Sequence, residues 1–176
     1  MAIKILITGG TFDKEYDELN GMLFFKDTHL PEILKLGRSN LPVSVRTLMM
    51  IDSLEMTDAD REIIINHCKQ CDEEKIVITH GTDTLEETAW LLHRVLAPSK
   101  PLVLTAAMRP ATSLQADGPQ NLLEAVTVAR TAGVQGVLAV LGGQVLAGCD
   151  LRKVHGYRVA AFSAGDAGPV ARLEEG

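Results

Sequence analysis

The 176-residue sequence lacks the features that would place it in a membrane, secretory or disulfide-rich class. It has no run of 18 apolar residues, so no transmembrane helix is predicted. The opening MAIKILITGG contains an apolar stretch of only about five residues that runs into glycines, which is not a signal-peptide layout. The cysteines number three and show no disulfide pattern. We therefore expect a cytoplasmic protein.

Positive charge is also scarce. The chain carries 17 Lys and Arg against 23 Asp and Glu, a formal net charge of −6. This excess of negative charge disfavours sequence-independent binding to nucleic acid or an anionic membrane, so neither is expected as a partner. Hydrophobic residues make up 46%, which is typical of a globular protein. We expect residues 1–176 to form a single domain with a sizeable core.

Short apolar runs alternate along the chain with segments of helical character. The runs are nearly continuous, which indicates strands that are buried on both faces. They lie at 3–7, 43–51, 75–79, 101–105 and 136–141. Helices are predicted at 31–36, at 57–71, at 84–96 and from 117 onward. The alternation predicts an α/β fold with a mostly parallel sheet and helices on both faces.

Local signals predict how several of these elements begin. Thr84 followed by Glu87 predicts a capping box, and Asp117 with Gln120 predicts another. The polar segment 12–21, FDKEYDELNG, closes on an Asn-Gly turn signal and is predicted to be a loop.

Glycines and polar residues follow four of the predicted strands, where open parallel sheets bind ligands. These segments are 8–11, 52–53, 80–83 and 106–109. Thr82 and Asp83 precede the predicted cap at Thr84, so capping does not explain them unless Asp83 is itself the cap. Even if Asp83 is the cap, no structural role is predicted for Thr82. Thr11, after two glycines, is either a turn cap or a nucleophile that needs a base.

Other clusters have plain structural interpretations. His67, Cys68 and Cys71 lack the second ligand pair of a structural zinc site, so we expect them to pack along a helix and expect no metal. Neither glycine-rich phosphate-binding motif is present, which ranks a nucleotide-binding domain low, and nothing indicates an organic cofactor. Taken alone, Lys153 beside Arg152 is typical of a solvated surface lysine.

Five segments resemble, in order, the motifs of the bacterial-type L-asparaginases and related L-glutaminases. They are ITGGTFDK, MIDSLEMTDAD, VITHGTDTLEETAW, PLVLTAAMRPATSLQADGPQNLLEAV and GCDLRKV. The resemblance implies an N-terminal asparaginase domain of flavodoxin-like fold. It further implies an amidohydrolase that converts L-asparagine to L-aspartate and ammonia through a threonine acyl-enzyme. The alternatives are an L-glutaminase, whose substrate is one methylene longer, and an inactive amino-acid-binding or regulatory protein.

The resemblance also assigns catalytic roles. It implies that Thr11 is the nucleophile and that Tyr16 helps to activate it, with Thr82, Asp83 and Lys153 as a second cluster. A lysine acts as a base only when neutral, and a neighbouring aspartate favours its charged form. One resolution is that Asp83 mainly binds the substrate ammonium.

A second set of residues is implied to bind substrate. Ser53, with Asp52 beside it, would hold the α-carboxylate, and the Ala107 backbone would contact the leaving amide. The full substrate-binding set implied is Asp52, Ser53, Gly81, Thr82, Asp83 and Ala107.

The chain departs from the family pattern in length. Familiar members carry a further C-terminal domain that supplies a charged partner for the substrate ammonium, so the resemblance is to a short form. Loss of that partner would cost about 1.5–3 kcal/mol, or roughly 10- to 100-fold in affinity, unless Asp83 or a neighbouring subunit of an oligomer replaces it. We therefore expect weak substrate binding. We also expect apolar surface that favours a homo-oligomer.

Overall fold

The computed structural model describes residues 2–37 and 41–174, which contain eleven strands and four helices. The strands are β1 (Ile3–Gly9), β2 (Lys14–Asp17), β3 (Met22–Phe25), β4 (Val43–Ile51), β5 (Lys75–Thr79), β6 (Pro101–Thr105), β7 (Gly136–Leu141), β8 (Gln144–Ala147), β9 (Arg152–Lys153), β10 (Phe162–Ser163) and β11 (Ala171–Arg172). The helices are α1 (Leu30–Leu36), α2 (Asp58–Gln70), α3 (Leu85–Leu96) and α4 (Gly118–Arg130). None of these four helices is long and apolar enough to cross a bilayer.

The main sheet has seven strands in the order β11-β8-β7-β6-β5-β1-β4. Five neighbouring strands of this sheet are parallel: β4, β1, β5, β6 and β7. In contrast, β8 lies antiparallel to β7, and β11 lies antiparallel to β8. Counted along the chain, the five parallel strands have the order 2-1-3-4-5, which is the flavodoxin-like arrangement. The predicted mostly parallel sheet is therefore confirmed.

Helices cover both faces of this sheet, as predicted. Ile5 and Ile7 of β1 belong to the cluster that contains α1 and α4 residues, and the intervening Leu6 belongs to the cluster of α2 and α3. Because successive side chains of a strand point to opposite faces, a continuous apolar run supplies both clusters. The same arrangement holds for β5 and β6, which lie at the centre of the sheet.

The prediction of a loop at 12–21 is wrong, because β2 and β3 form an antiparallel hairpin there. The Asn-Gly pair was recognised as a turn, and it does lie between the two strands. The Asp17 carboxylate accepts hydrogen bonds from the backbone N–H groups of Leu19 and Asn20, and Gly21 has φ +67°. The hairpin was missed because its first strand is polar and gives no apolar run.

Both predicted capping boxes are also wrong, although the helices begin where expected. Thr84 precedes α3, but its hydroxyl donates to the Ser53 carbonyl at 2.8 Å and makes no cap hydrogen bond. Asp117 precedes α4, yet its carboxylate accepts from the backbone N–H groups of Met108 and Arg109. Partners outside the helix therefore replace the local cap in each case.

Candidate active site

A close approach of two glycines sets the geometry at the carboxyl ends of β1 and β5. A Cβ atom added to Gly10 would lie 2.4 Å from the Gly81 Cα, closer than any real side chain tolerates. Gly10 also has φ +80°, which glycine adopts without steric cost. Thr11 and Thr82 each follow one of these contacting glycines. Each threonine is therefore one residue away from this glycine contact, at the carboxyl-terminal edge of the sheet.

Lys153 joins Thr82 and Asp83 in one cluster. Its Nζ donates to the Thr82 Oγ1 at 2.9 Å and to an Asp83 carboxylate oxygen. The Lys153 side chain is 15% exposed and Thr82 is 5% exposed, whereas the Asp83 side chain is 42% exposed. The interpretation of Lys153 as a solvated surface lysine is wrong. Its amine instead lies against a buried hydroxyl, with the carboxylate open to solvent.

The position of Lys153 depends on α3 as well as on its own short strand. Lys153 pairs with Phe162 across β9 and β10, and its backbone N–H donates to the Glu86 carboxylate. Glu86 lies in the first turn of α3, directly after the segment that carries Thr82. Sequence reasoning did not single out Glu86, and no local pattern links it to a residue 67 positions away.

Ser53 lies against the segment that contains Thr82 and Asp83. Its hydroxyl accepts hydrogen bonds from the backbone N–H of Asp83 at 3.2 Å and of Thr84 at 3.4 Å. A Cβ atom on Gly81 would lie 2.5 Å from the Ser53 Oγ, so that glycine also permits this contact. A serine hydroxyl that accepts twice still has its own proton to donate. Ser53 can therefore donate a hydrogen bond to an anion.

Asp52 is the next charged group of the site, and it pairs with Lys14 of β2. Burial opposes ionisation of Asp52, but the hydrogen bonds from Lys14 and from the Leu54 backbone N–H outweigh it. The charges of Lys14 and Lys153 act in the same direction, and the pKa of Asp52 lies below its ordinary value. Asp52 is therefore an ionised carboxylate under the influence of two ammonium groups.

Ala107 follows β6 in a loop that is fixed by side chains of α4. The Asp117 carboxylate binds the two backbone N–H groups that come directly after Ala107. Asn121 donates to the Ala106 carbonyl at 2.9 Å and accepts from the Gly142 N–H at 3.0 Å. These contacts hold the strand end rigidly. The spacing of Asp117 and Asn121, one helical turn apart, is the signal that could have identified them.

Thr11 and Tyr16 lie on the turn and hairpin that follow β1. Thr11 begins a short 3-10 turn, Thr11–Asp13, and Phe12 within it is buried in the core. Tyr16 is 55% exposed, and its hydroxyl lies 3.8 Å from a Cβ position on Gly21, at the hairpin turn. Within residues 2–37 and 41–174, neither the Thr11 hydroxyl nor the Tyr16 hydroxyl makes a hydrogen bond to Thr82, Asp83 or Lys153.

The buried His80 side chain contacts the Gly81 backbone. Its Nδ1 lies 2.8 Å from the Gly81 carbonyl and its Nε2 lies 2.9 Å from the Thr88 hydroxyl. A carbonyl only accepts, so Nδ1 carries the proton and Nε2 accepts from the hydroxyl. Complete burial lowers the pKa of His80 to about 4. The imidazole is therefore neutral near neutral pH, and its part is structural.

A cleft of about 410 Å³ opens beside this cluster. It is lined by Asp83, Glu86, Lys153, Val154, His155 and Gly156. Its volume is within the range of small-molecule sites, about 300–1,000 Å³. Across the described ranges, no group of three His, Cys, Asp or Glu side chains is placed to hold a metal ion. Cys68, in the cluster that suggested a metal site, lies in the core.

Fold and site together define a class: a flavodoxin-like α/β protein with hydroxyl, amine and carboxylate groups at the carboxyl ends of its parallel strands. The family model described as "Asparaginase, N-terminal" matches residues 2–176. The chain therefore belongs to the asparaginase family.

Similar proteins agree with this assignment. The chain is 37% identical to L-asparaginase 2 of Bacillus subtilis over 98% of its length and 49% of that protein. It is 44% identical to a glutaminase-asparaginase of Pseudomonas aeruginosa over 60% of its length and 29% of that protein. A crystal structure of a probable cytoplasmic L-asparaginase from Campylobacter jejuni matches with TM-score 0.86 and 32% identity, over 98% of this chain and 56% of the other. The chain thus spans about half or less of the curated relatives' length.

Proposed function

We propose that this protein is an amidohydrolase that converts L-asparagine to L-aspartate and ammonia through a threonine acyl-enzyme. The observation that carries the proposal is the contact of Lys153 with both Thr82 and Asp83, next to the Gly10–Gly81 approach. A buried hydroxyl that contacts an amine is the arrangement expected where a proton must be moved during amide hydrolysis. Membership of the asparaginase family supports the same reaction.

Thr11 is the proposed nucleophile. Its Oγ forms a bond to the side-chain amide carbon, its proton passes to a base, and the carbon–nitrogen bond then breaks. The nitrogen leaves as ammonia after protonation, and water hydrolyses the acyl-threonine to release aspartate. Tyr16 takes part if the β2–β3 hairpin brings its hydroxyl to Thr11, because in this structure the hydroxyl lies beside Gly21.

Thr82, Asp83 and Lys153 serve the proton transfers and the developing charge. The backbone N–H of Thr82 is a suitable donor for the oxyanion of the tetrahedral intermediate. Lys153 is the proposed base, and its amine contacts Asp83 as well as Thr82. The exposed carboxylate of Asp83 is the proposed partner of the substrate ammonium, which would compete with Lys153 for it.

The substrate backbone is recognised by the loop after β4 and by Asp83. Ser53 donates to the α-carboxylate, and Asp52 lies beside it, where it keeps Lys14 close. Gly81 allows the close approach of the substrate, as it already allows the approach of Ser53. The Ala107 backbone contacts the leaving amide. With Asp83 as the one carboxylate proposed for the ammonium, we expect weak affinity for the substrate.

Ammonia release from L-asparagine by the purified protein tests this function. Thr11→Ala is expected to lower kcat at least about 10³-fold, since the covalent path is lost. Thr127→Ala is the matched control, because it removes an exposed threonine hydroxyl on α4. Equal activity of Thr11→Ala and the control would refute the nucleophile. Binding of asparagine without turnover by the wild type would instead favour an amino-acid-binding or regulatory protein.

L-Glutamine is the alternative substrate, since one matched relative is named a glutaminase-asparaginase. One methylene separates the two amides, and such differences are worth only about 10- to 200-fold in hydrophobic pockets. The ratio of kcat/KM for asparagine and glutamine decides between them. A ratio above unity supports the proposal, and a ratio below unity assigns a glutaminase.

Assembly and location belong to the same proposal. A cytoplasmic location is consistent with the naming of the Campylobacter jejuni relative as cytoplasmic. The proposed assembly is a homo-oligomer, with a small amino-acid amide as its substrate. Half-exposed or exposed apolar residues on the hairpin, such as Leu19, Met22 and Phe24, offer surface for self-association. Light scattering on the full chain is the measurement, and a monomer at all concentrations would refute the oligomer.

A further inference from the structure

Lys14 joins the turn that carries Thr11 to the loop that carries Ser53. Its backbone N–H donates to the Thr11 carbonyl and closes the Thr11–Asp13 turn. Its ammonium forms an ion pair with Asp52, which lies 38 positions further along the chain. The Lys14 and Asp52 side chains are 13% and 29% exposed, so the pair is shielded from solvent on most sides.

The Asp52 end of this contact is fixed to the substrate loop. One Asp52 oxygen accepts from the Leu54 backbone N–H at 2.9 Å and so caps the short turn that begins at Ser53. The other oxygen accepts from the Lys14 ammonium. Because the same carboxylate caps the turn that begins at Ser53, the ion pair links Lys14 to that turn. One side chain therefore connects the peptide of Thr11 to the residue before Ser53.

Two glycines form the joint between β1 and the Thr11 turn. Gly9 and Gly10 have φ +95° and +80° and lie against the backbone of Ile51 and Gly81, which fixes the start of the turn, whereas Lys14 holds its other end. Phe12 fixes one side of the turn by its burial in the core. The ammonium of Lys14 also lies 5.4 Å from the centroid of the Phe25 ring, which restrains the lysine on the hairpin side.

We propose that Lys14 is a positioning residue, which holds the Thr11 hydroxyl at the reacting carbon through its ion pair with Asp52. The inference rests on the proposed function. Misplacement of a reacting group by about 1 Å can cost about 10²-fold in rate. Loss of the Lys14 ammonium is therefore expected to lower kcat for asparagine by about 10²-fold, with KM changed much less.

Steady-state kinetics of three lysine variants test the proposal. Lys14→Met removes the charge, Lys14→Arg retains it and is expected to recover most of the rate, and Lys26→Met alters an exposed lysine beyond the same hairpin. We expect only Lys14→Met to lose kcat. A raised KM with unchanged kcat would place Lys14 in substrate binding and overturn the proposal, as would wild-type kinetics for Lys14→Met.

A double-mutant cycle with Asp52→Asn tests whether the effect passes through the ion pair. If it does, Lys14→Met should cost little more in kcat once Asp52 is already neutral, because the two residues act as one unit. Additive losses of the two variants would show that Lys14 acts by another route and would contradict the proposal.

Hydrogen exchange without substrate separates this inference from the proposed function. In Lys14→Met, amides of residues 11–25 are expected to exchange faster than in the wild type, with β5 and β6 unchanged. Unchanged exchange in residues 11–25 would refute the positioning role. Absence of amidase activity in the wild type would refute the proposed function alone, since the exchange result still shows whether Lys14 fixes the turn.

Discussion

The buried imidazole of His80 predicts a specific dependence of stability on pH. Burial lowers the pKa of His80 from its ordinary 6.5 to about 4, because the charged form is excluded from an environment without solvent. Above pH 6.5 the group is neutral in both the folded and the unfolded chain. As the pH falls below 6.5, the unfolded chain binds a proton that the folded chain refuses. The contribution of His80 to stability is therefore present above pH 6.5 and is lost toward pH 4.

The size of this effect follows from the difference between the two pKa values. Each pKa unit corresponds to about 1.4 kcal/mol, so a shift from 6.5 to about 4 amounts to about 3 kcal/mol over that interval. The ring is fully buried, so the charged form loses the hydration that it has in the unfolded chain. Acidification within this interval should thus remove a substantial part of the free energy of unfolding, which is typically about 5–15 kcal/mol.

Urea unfolding at a series of pH values between about 7 and about 4 measures the effect. His80→Asn removes the titrating ring and is expected to show lower stability at neutral pH but a flatter dependence on pH. His93→Asn, at an exposed position on α3, is the control and should retain the wild-type slope. Equal pH slopes for the wild type and His80→Asn would refute this reasoning, because the slope would then arise from other groups.

Three further predictions concern the turn and the site. Gly10→Ala should lower the free energy of unfolding by about 2–5 kcal/mol, because its Cβ would lie 2.4 Å from the Gly81 Cα. Gly133→Ala is the control, since Gly133 has φ +81° but open space around it. Equal urea midpoints for the two variants would contradict the steric argument. Lys153→Met should lower kcat by about 10²–10⁴-fold without rescue by Lys153→Arg, since arginine stays charged; full rescue would exclude a base. Burial raises the pKa of the Asp13 carboxyl above 3.8, so its stabilising contribution fades as pH rises. Asp13→Asn should therefore gain Tm relative to the wild type between about pH 4 and pH 7. A difference in Tm between the two proteins that does not change with pH would contradict this.

The parallel sheet was predictable because its strands carry their own signal. β5 and β6 are buried on both faces, so their central residues, Ile76–Ile78 and Leu102–Leu104, are all apolar and the run is visible without any partner. The start of α2 was visible for a similar reason. Thr57 and Asp60 satisfy each other's backbone N–H groups, and all the information lies within four residues.

The hairpin and the two failed caps were not predictable in this way. β2 is polar and is stabilised by pairing with β3, so its structure depends on a register that no local pattern reveals. Thr84 and Asp117 have the residue types of helix caps, but Ser53, 31 positions away, and Met108, nine positions away, bind their side chains instead. Local helix-capping preference does not show which of these hydrogen bonds forms.

The candidate site residues were proposed from motifs, which carry no information on their contacts. The structure adds that the Lys153 amine touches both Thr82 and Asp83. The contacts of Glu86 with Lys153 and of Lys14 with Asp52 span 67 and 38 positions. Only the folded chain brings such residues together, and these residues determine how the hydroxyl and the amine are held.

Mass spectrometry of the protein quenched during turnover of L-asparagine tests the central claim most directly. We expect an aspartyl ester on the peptide that contains Thr11, with no such adduct in Thr11→Ala and no ammonia release above the background. An adduct on Thr82 instead, or undiminished ammonia release by Thr11→Ala, would contradict the account.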